Sequence, residues 1–149
     1  MKVHSQTDVG LVRTLNEDAC RTGLLGENGA WAVVCDGMGG ANGGEIASET
    51  AVNSIEEQIL ASYEEDFKSE EMKLMLSTLI FHANSAVYDM AQENESLKGM
   101  GTTIVVAIVL DNVAHIAHAG DSRAYLLHNG NIMQITTDHS MVQELIKNG

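Results

Sequence analysis

Trp31-Ala-Val-Val-Cys35-Asp36-Gly37-Met38-Gly39-Gly40 is the stretch on which the reading of this chain turns. Trp31 to Cys35 are apolar and β-favouring, the pattern of a buried strand. Asp36-Gly37 is then expected to break the strand, and a glycine-rich turn runs on to Gly40. After Asn42-Gly43-Gly44 the spacing becomes that of an amphipathic helix. A strand that delivers a carboxylate to its C-terminal end, beside a glycine whose carbonyl no side chain obstructs, suits a hard metal ion with oxygen ligands. Asp-Gly is also a common turn pair, and taken alone the stretch reads better as an ordinary strand-turn-helix; the rest of the chain changes that.

Working outward, the 149 residues fit one domain, 1–149, with 44% hydrophobic residues and only 4% aromatics. The core must therefore rest on Val, Ile, Leu, Met and Ala. A net charge of −13 disfavours nucleic acid and anionic membrane as partners and suits cations. Cys20 and Cys35 have no metal-binding spacing and are expected to be reduced and buried. No apolar leader follows Met1-Lys2, and the longest apolar run, Ile104 to Leu110, is far too short to span a membrane. The expected location is the cytoplasm.

Strands are predicted at Val3 to Asp8 and Ala19 to Leu24, the second joined to the Trp31 strand by a Gly26-Glu-Asn-Gly29 turn. Glu45 to Leu60 reads as a helix with Ile46, Ala47, Ala51, Ile55 and Ile59 on one face. Ser69 to Gln92 reads as a second, N-capped by Ser69, with the stripe Leu76, Leu79, Ile80, Ala83, Val87 and Met90; Met72 and Met75 read as core filler. Polar Ser62 to Glu71 connects the two. Thr102 to Leu110, Val113 to Ala119, Ser122 to His128 and Ile132 to Thr136 then form a meander, with turns at Asp111-Asn112 and His128-Asn-Gly-Asn131. Ser140 to Asn148 closes the chain as a short helix. Strands, a helix pair, then more strands indicate an α+β fold with an antiparallel sheet on helices.

Four blocks in order carry a resemblance: Val9-Gly-Leu-Val-Arg-Thr-Leu-Asn-Glu-Asp18, Val34-Cys-Asp-Gly-Met-Gly-Gly40, Gly99-Met-Gly-Thr-Thr103 and Ala119-Gly-Asp-Ser-Arg-Ala124, with Thr137-Asp-His-Ser140 a weaker fifth. Together they resemble the metal-dependent protein serine/threonine phosphatases, the PPM or type 2C family, in its compact bacterial form. The resemblance implies an antiparallel β-sandwich flanked by helices and a centre of two or more Mg or Mn ions. It implies that Asp36 bridges two metals, that Glu17 and the Gly37 carbonyl are ligands, and that Asp18 acts through water. It also implies that Arg13 holds the substrate phosphate and that Asp121 helps to bind a weaker metal. Water activated by the metals would attack phosphorus in line, without a covalent phospho-enzyme. Read as plain residues, Arg13 could instead pair with Glu17 four positions on, and Asp121 could be only a turn residue. Arg123 reads as a structural ion-pair partner. His115, His118 and His139 read as packing or surface residues.

Two departures from the family pattern stand out. Met38 occupies a position where some relatives carry a histidine proposed as general acid. The sequence also stops at Gly149, short of further metal-binding aspartates and strands, so the resemblance implies an incomplete sandwich, the N-terminal portion of a catalytic domain with little or no activity of its own. The implied partners are phosphorylated protein substrates and a cognate serine/threonine kinase, and the missing strands suggest self-association through unpaired sheet edges. Two other readings compete: a phosphatase-like binding module without turnover, and an acidic α+β domain that binds a divalent cation for stability.

Overall fold

The structure is a computed structural model that describes residues 1–40, 43–64 and 67–139. Strands β1 (Asp18–Leu25) and β2 (Gly29–Met38) form a hairpin, followed by helices α1 (Gly43–Ser62) and α2 (Ser69–Glu93). After a 3-10 turn at Glu95–Leu97 come β3 (Gly101–Thr102), β4 (Ile104–Leu110), β5 (Val113–Ala119), β6 (Tyr125–His128) and β7 (Asn131–Gln134). The main sheet is antiparallel in the order β1-β2-β4-β5, and β3 continues the pairing along the end of β2. β6 and β7 make a separate two-stranded ladder. The α+β class and the antiparallel sheet on helices are as the sequence indicates.

Alternation decides which face of the sheet is covered. Ala19, Trp31, Val33, Cys35, Ile104, Val106 and Ile108 are buried on one face. α1 lies over β1 and β2 and buries Ala47, Ala51, Val52, Ile55 and Ile59. α2 packs on α1 and reaches β5, burying Met72, Met75, Leu76, Leu79, Ala83 and Val87. Arg21, on the same face, is held by Glu49 at 2.9 Å and Glu56 at 3.9 Å from α1. Leu24 and Val34 on the other face are exposed. Cys35 is fully buried, and burial pushes its thiol pKa up to about 12, so it is inert. Cys20 is only half-buried, because it falls on the opposite face, across from Val34.

Several elements differ from the sequence reading. Residues 3–8 form no strand: they are exposed, and none of the described strands pairs with them. The cap of α2 is Lys68, not Ser69; extended Lys68 donates its backbone N–H to Glu71 Oε2 at 2.7 Å. Met90 is exposed, at the edge of the α2 stripe. β6 begins at Tyr125, because the residues before it are taken up by side-chain contacts: Ser122 with Thr103, Arg123 with Asp138, and the Ala124 N–H with Thr136 Oγ1. Most consequentially, β2 does not break at Asp36-Gly37. It stays extended to Met38, because Asp36 lies opposite Asp18 while Gly37 and Met38 lie opposite Thr102 and Gly101. The predicted helix over 140–148 lies outside the described residues.

Candidate metal centre

The β1–β2 register places Asp18 directly across from Asp36, at the end of the hairpin away from its turn. Glu17 precedes β1, and its backbone carbonyl accepts the Gly37 N–H at 3.0 Å, which fixes it beside the same end. The glycines at the start of α1 let that helix close on this corner; a side chain on Gly44 would strike the Glu17 carboxylate. Acids near a helix N-terminus are favoured by its dipole. A cavity of about 550 Å³ opens here, lined by Asp8, Arg13, Asn16, Glu17, Asp18, Asp36 and Gly37.

Of the residues singled out in the sequence, Arg13, Glu17, Asp18, Asp36 and Gly37 thus share one cavity. Asp121 does not line it, but its charge acts on Asp36. Arg13 is largely exposed and lies 3.5 Å from Glu17 Oε2, the i,i+4 pair that the spacing allows. At that length and exposure the pairing is weak and leaves the guanidinium available. Arg123 makes a two-pronged ion pair with Asp138 at 2.9 and 2.7 Å, a structural role. His118 and His139 stack with ring centroids 4.3 Å apart, and neither lines the cavity.

Two contributors were not evident from the sequence. Asn16 accepts the Asp18 N–H at 3.1 Å and donates to Thr7 at 2.8 Å, so it shapes the loop that carries Arg13. Thr103 holds the backbone of Asp36 from both sides: its hydroxyl accepts the Asp36 N–H at 3.0 Å and its own N–H donates to the Asp36 carbonyl at 2.9 Å. The Gly-Thr-Thr block gave the only hint of it.

The electrostatics of the corner favour a cation. The Asp36 carboxyl is held above its ordinary 3.8, first by partial burial, then by the negative charges of Asp18, Asp121 and Glu17 and by contact with the Asp18 carboxyl. Arg13 pairs with Glu17 and leaves Asp36 uncompensated. Carboxylates with a nearby backbone carbonyl are an all-oxygen donor set, which fits Mg or Mn better than Zn. Among the described residues no three acidic, His or Cys side chains are arranged to close on one ion.

The raised pKa has a consequence for stability. Ionised Asp36 disfavours the fold at pH values above its folded pKa, and that penalty disappears as pH falls toward 3.8. Asp36→Asn should therefore melt higher than the parent at pH 7 in chelator, with the gain gone near pH 4. Thermal melts at the two pH values check this; a lower melting temperature at pH 7 contradicts it.

The family model for Protein phosphatase 2C matches residues 12–146. The chain belongs to the protein phosphatase 2C family. Over its whole length it is 37% identical to a serine/threonine phosphatase stp of Listeria welshimeri and spans 59% of that relative. It is 33% identical to the serine/threonine protein phosphatase PstP of Mycobacterium tuberculosis, of which it spans 27%. Among solved structures, 96% of the chain superposes on 56% of the Staphylococcus aureus serine/threonine phosphatase Stp1, with TM-score 0.86 and 38% identity. It also superposes on the catalytic domain of a PstP in complex with two manganese ions, with TM-score 0.77, 34% identity and 58% of that chain covered. The chain thus spans a little over half of the Listeria relative and of these two solved structures. No helix among its described residues is long and apolar enough to cross a membrane.

Proposed function

We propose that this chain carries part of the active centre of a metal-dependent protein serine/threonine phosphatase, which hydrolyses phosphoserine and phosphothreonine on proteins. The observation that carries the reading is the convergence of Glu17, Asp18 and Asp36 with Arg13 on one cavity in a member of the 2C family. Asp36, Glu17 and the Gly37 carbonyl would hold Mg or Mn, with Asp18 acting through water and Asp121 serving a weaker position. Bound there, two or more such ions supply positive charge and a water acidic enough to attack phosphorus at neutral pH. Arg13, exposed and only loosely paired, binds the phosphate oxygens and orients the ester for in-line displacement. Met38 cannot protonate the leaving alkoxide, so that proton comes from water or another group. A serine/threonine kinase that installs the phosphate is the natural counterpart.

The test is release of inorganic phosphate from a phosphothreonine peptide in Mn, with peptide binding followed in parallel. Because no three metal-ligating side chains close on one ion among the described residues, turnover by this chain is expected to be slow. Release that stops in chelator and in Asp36→Asn supports the enzyme. Binding without release supports the alternative, a phosphatase-like binding module. Arg13→Ala should raise KM about tenfold with a smaller change in kcat, since it removes a charge-assisted contact to phosphate; an unchanged KM would leave Arg13 as only the partner of Glu17.

The chain is also proposed to self-associate. Among the described residues β1 and β5 are the edge strands of the main sheet, and β6 and β7 expose Leu127 and Ile132. Sedimentation velocity should show dimers or larger species as concentration rises; a single monomer boundary throughout would contradict this.

A further inference from the structure

Asp36 and Thr103 occupy opposing positions where the β2–β4 register, last seen at Val34 and Val105, carries on to Gly37 and Thr102. In a regular antiparallel ladder opposed residues alternate between pairs that exchange both backbone hydrogen bonds and pairs that exchange none, and a bond from Thr103 to Asp36 marks this pair as one of the first kind. Here only one is made in that way, from the Thr103 N–H to the Asp36 carbonyl at 2.9 Å. The Asp36 N–H goes instead to the Thr103 hydroxyl at 3.0 Å, while the Thr103 carbonyl accepts the Thr102 hydroxyl at 3.0 Å. A side chain has thus replaced a ladder bond at the residue that carries the central carboxylate.

The same hydroxyl lies 2.7 Å from Ser122 Oγ. Ser122 follows Asp121, so this contact ties the strand of Asp36 to the segment of Asp121. That segment is braced from its other side by the Arg123–Asp138 ion pair and by the His139 N–H, which donates to the Gly120 carbonyl at 2.9 Å. Gly120, at φ +101°, presses against the Thr103 methyl group, where a side chain would stand 2.7 Å from Cγ2. The brace and the hydroxyl pair together tie the Asp121 segment to the strand of Asp36.

We infer that Thr103 and Ser122 are positioning residues, whose paired hydroxyls hold Asp121 at the distance from Asp36 that sets the divalent-cation affinity of the centre. The inference rests on the metal-centre reading given above. It predicts that removing either hydroxyl weakens Mn binding about tenfold, the usual cost of losing a group that orients a ligand. Because the two act as one unit, removing both should cost little more than removing one.

The experiment is calorimetric titration of Mn into the chain and into Thr103→Val, Ser122→Ala, the double variant, Thr103→Ser and Asp36→Asn, with a thermal melt of each. Thr103→Ser keeps the oxygen and should stay within about twofold of the parent. Thr103→Val and Ser122→Ala should lose affinity while still melting cooperatively, without a multiplied loss in the double variant. Parent-like affinity in Thr103→Val and Ser122→Ala, beside a loss in Asp36→Asn, overturns the hydroxyl bridge and leaves the metal centre standing. The bridge is also overturned if the two losses multiply, or if Thr103→Ser is as weak as Thr103→Val. Parent-like affinity in Asp36→Asn, or no binding by the parent, overturns the metal centre and the bridge with it.

Discussion

Gly37→Ala should destabilise the chain by about 3 kcal/mol or more and weaken the metal centre at the same time. The backbone of Gly37 is extended, so the cost comes from contact rather than from φ. An added Cβ would collide with the Gly44 carbonyl and stand 2.6 Å from the Glu17 carbonyl oxygen. Both obstacles are backbone, so no rotamer change relieves them. Relief requires the start of α1 to move off the β1–β2 hairpin or Glu17 to leave the Gly37 N–H that it accepts. The second motion pulls Glu17, a proposed ligand, away from Asp36, and the first opens the corner that α1 closes. Urea unfolding should show the lowered midpoint, and Mn titration of the folded variant the weakened binding. Parent-like stability would mean that helix and hairpin do not meet this closely.

Asp36→Asn should lower Mn affinity at least about a hundredfold, more than loss of an orienting group does. Asparagine keeps the size of the side chain and leaves the backbone bonds to Thr103 in place, so the loss isolates the charge. Asp36 is the acid on which Asp18, Asp121 and Glu17 all act, so its removal takes away the centre of the negative potential. The same substitution is expected to raise the melting temperature in chelator, because it removes that crowding. Weaker binding together with higher stability is the signature of a group kept for function. Loss of both would instead make Asp36 an ordinary structural residue.

Much of this was legible in the sequence wherever local chemistry decides the structure. Asp111-Asn112 and Asn129-Gly130 adopt the positive φ pairs of tight hairpins, at 45° and 68° and at 49° and 77°, as their side chains allow. The helix stripes were legible because each helix buries one face, α1 against the sheet and α2 mainly against α1. The candidate site was legible as a set of blocks, and the fold brings Arg13, Glu17, Asp18, Asp36 and Gly37 to one cavity.

What failed was whatever depends on partners distant in sequence. Asp36-Gly37 has the chemistry of a turn, and only pairing with Asp18 on one side and Thr102 on the other keeps it extended. Residues 3–8 have a strand-like composition but no neighbour among the described strands to supply a ladder. The work of Thr103 could not be read from Gly-Thr-Thr, because it consists of a side chain standing in for a backbone acceptor. Asp121 remained divided between turn residue and ligand, because its charge reaches Asp36 from a segment distant in sequence and outside the cavity lining.

The most direct measurement is an NMR titration of the labelled chain with substoichiometric Mn, whose unpaired electrons broaden signals only near the bound ion. The account predicts that the amide signals of Glu17, Asp18, Asp36 and Gly37 disappear first, and that they persist in Asp36→Asn. Broadening centred elsewhere, such as on exposed Glu70 at the start of α2, or uniform weak broadening over the acidic surface, would contradict it.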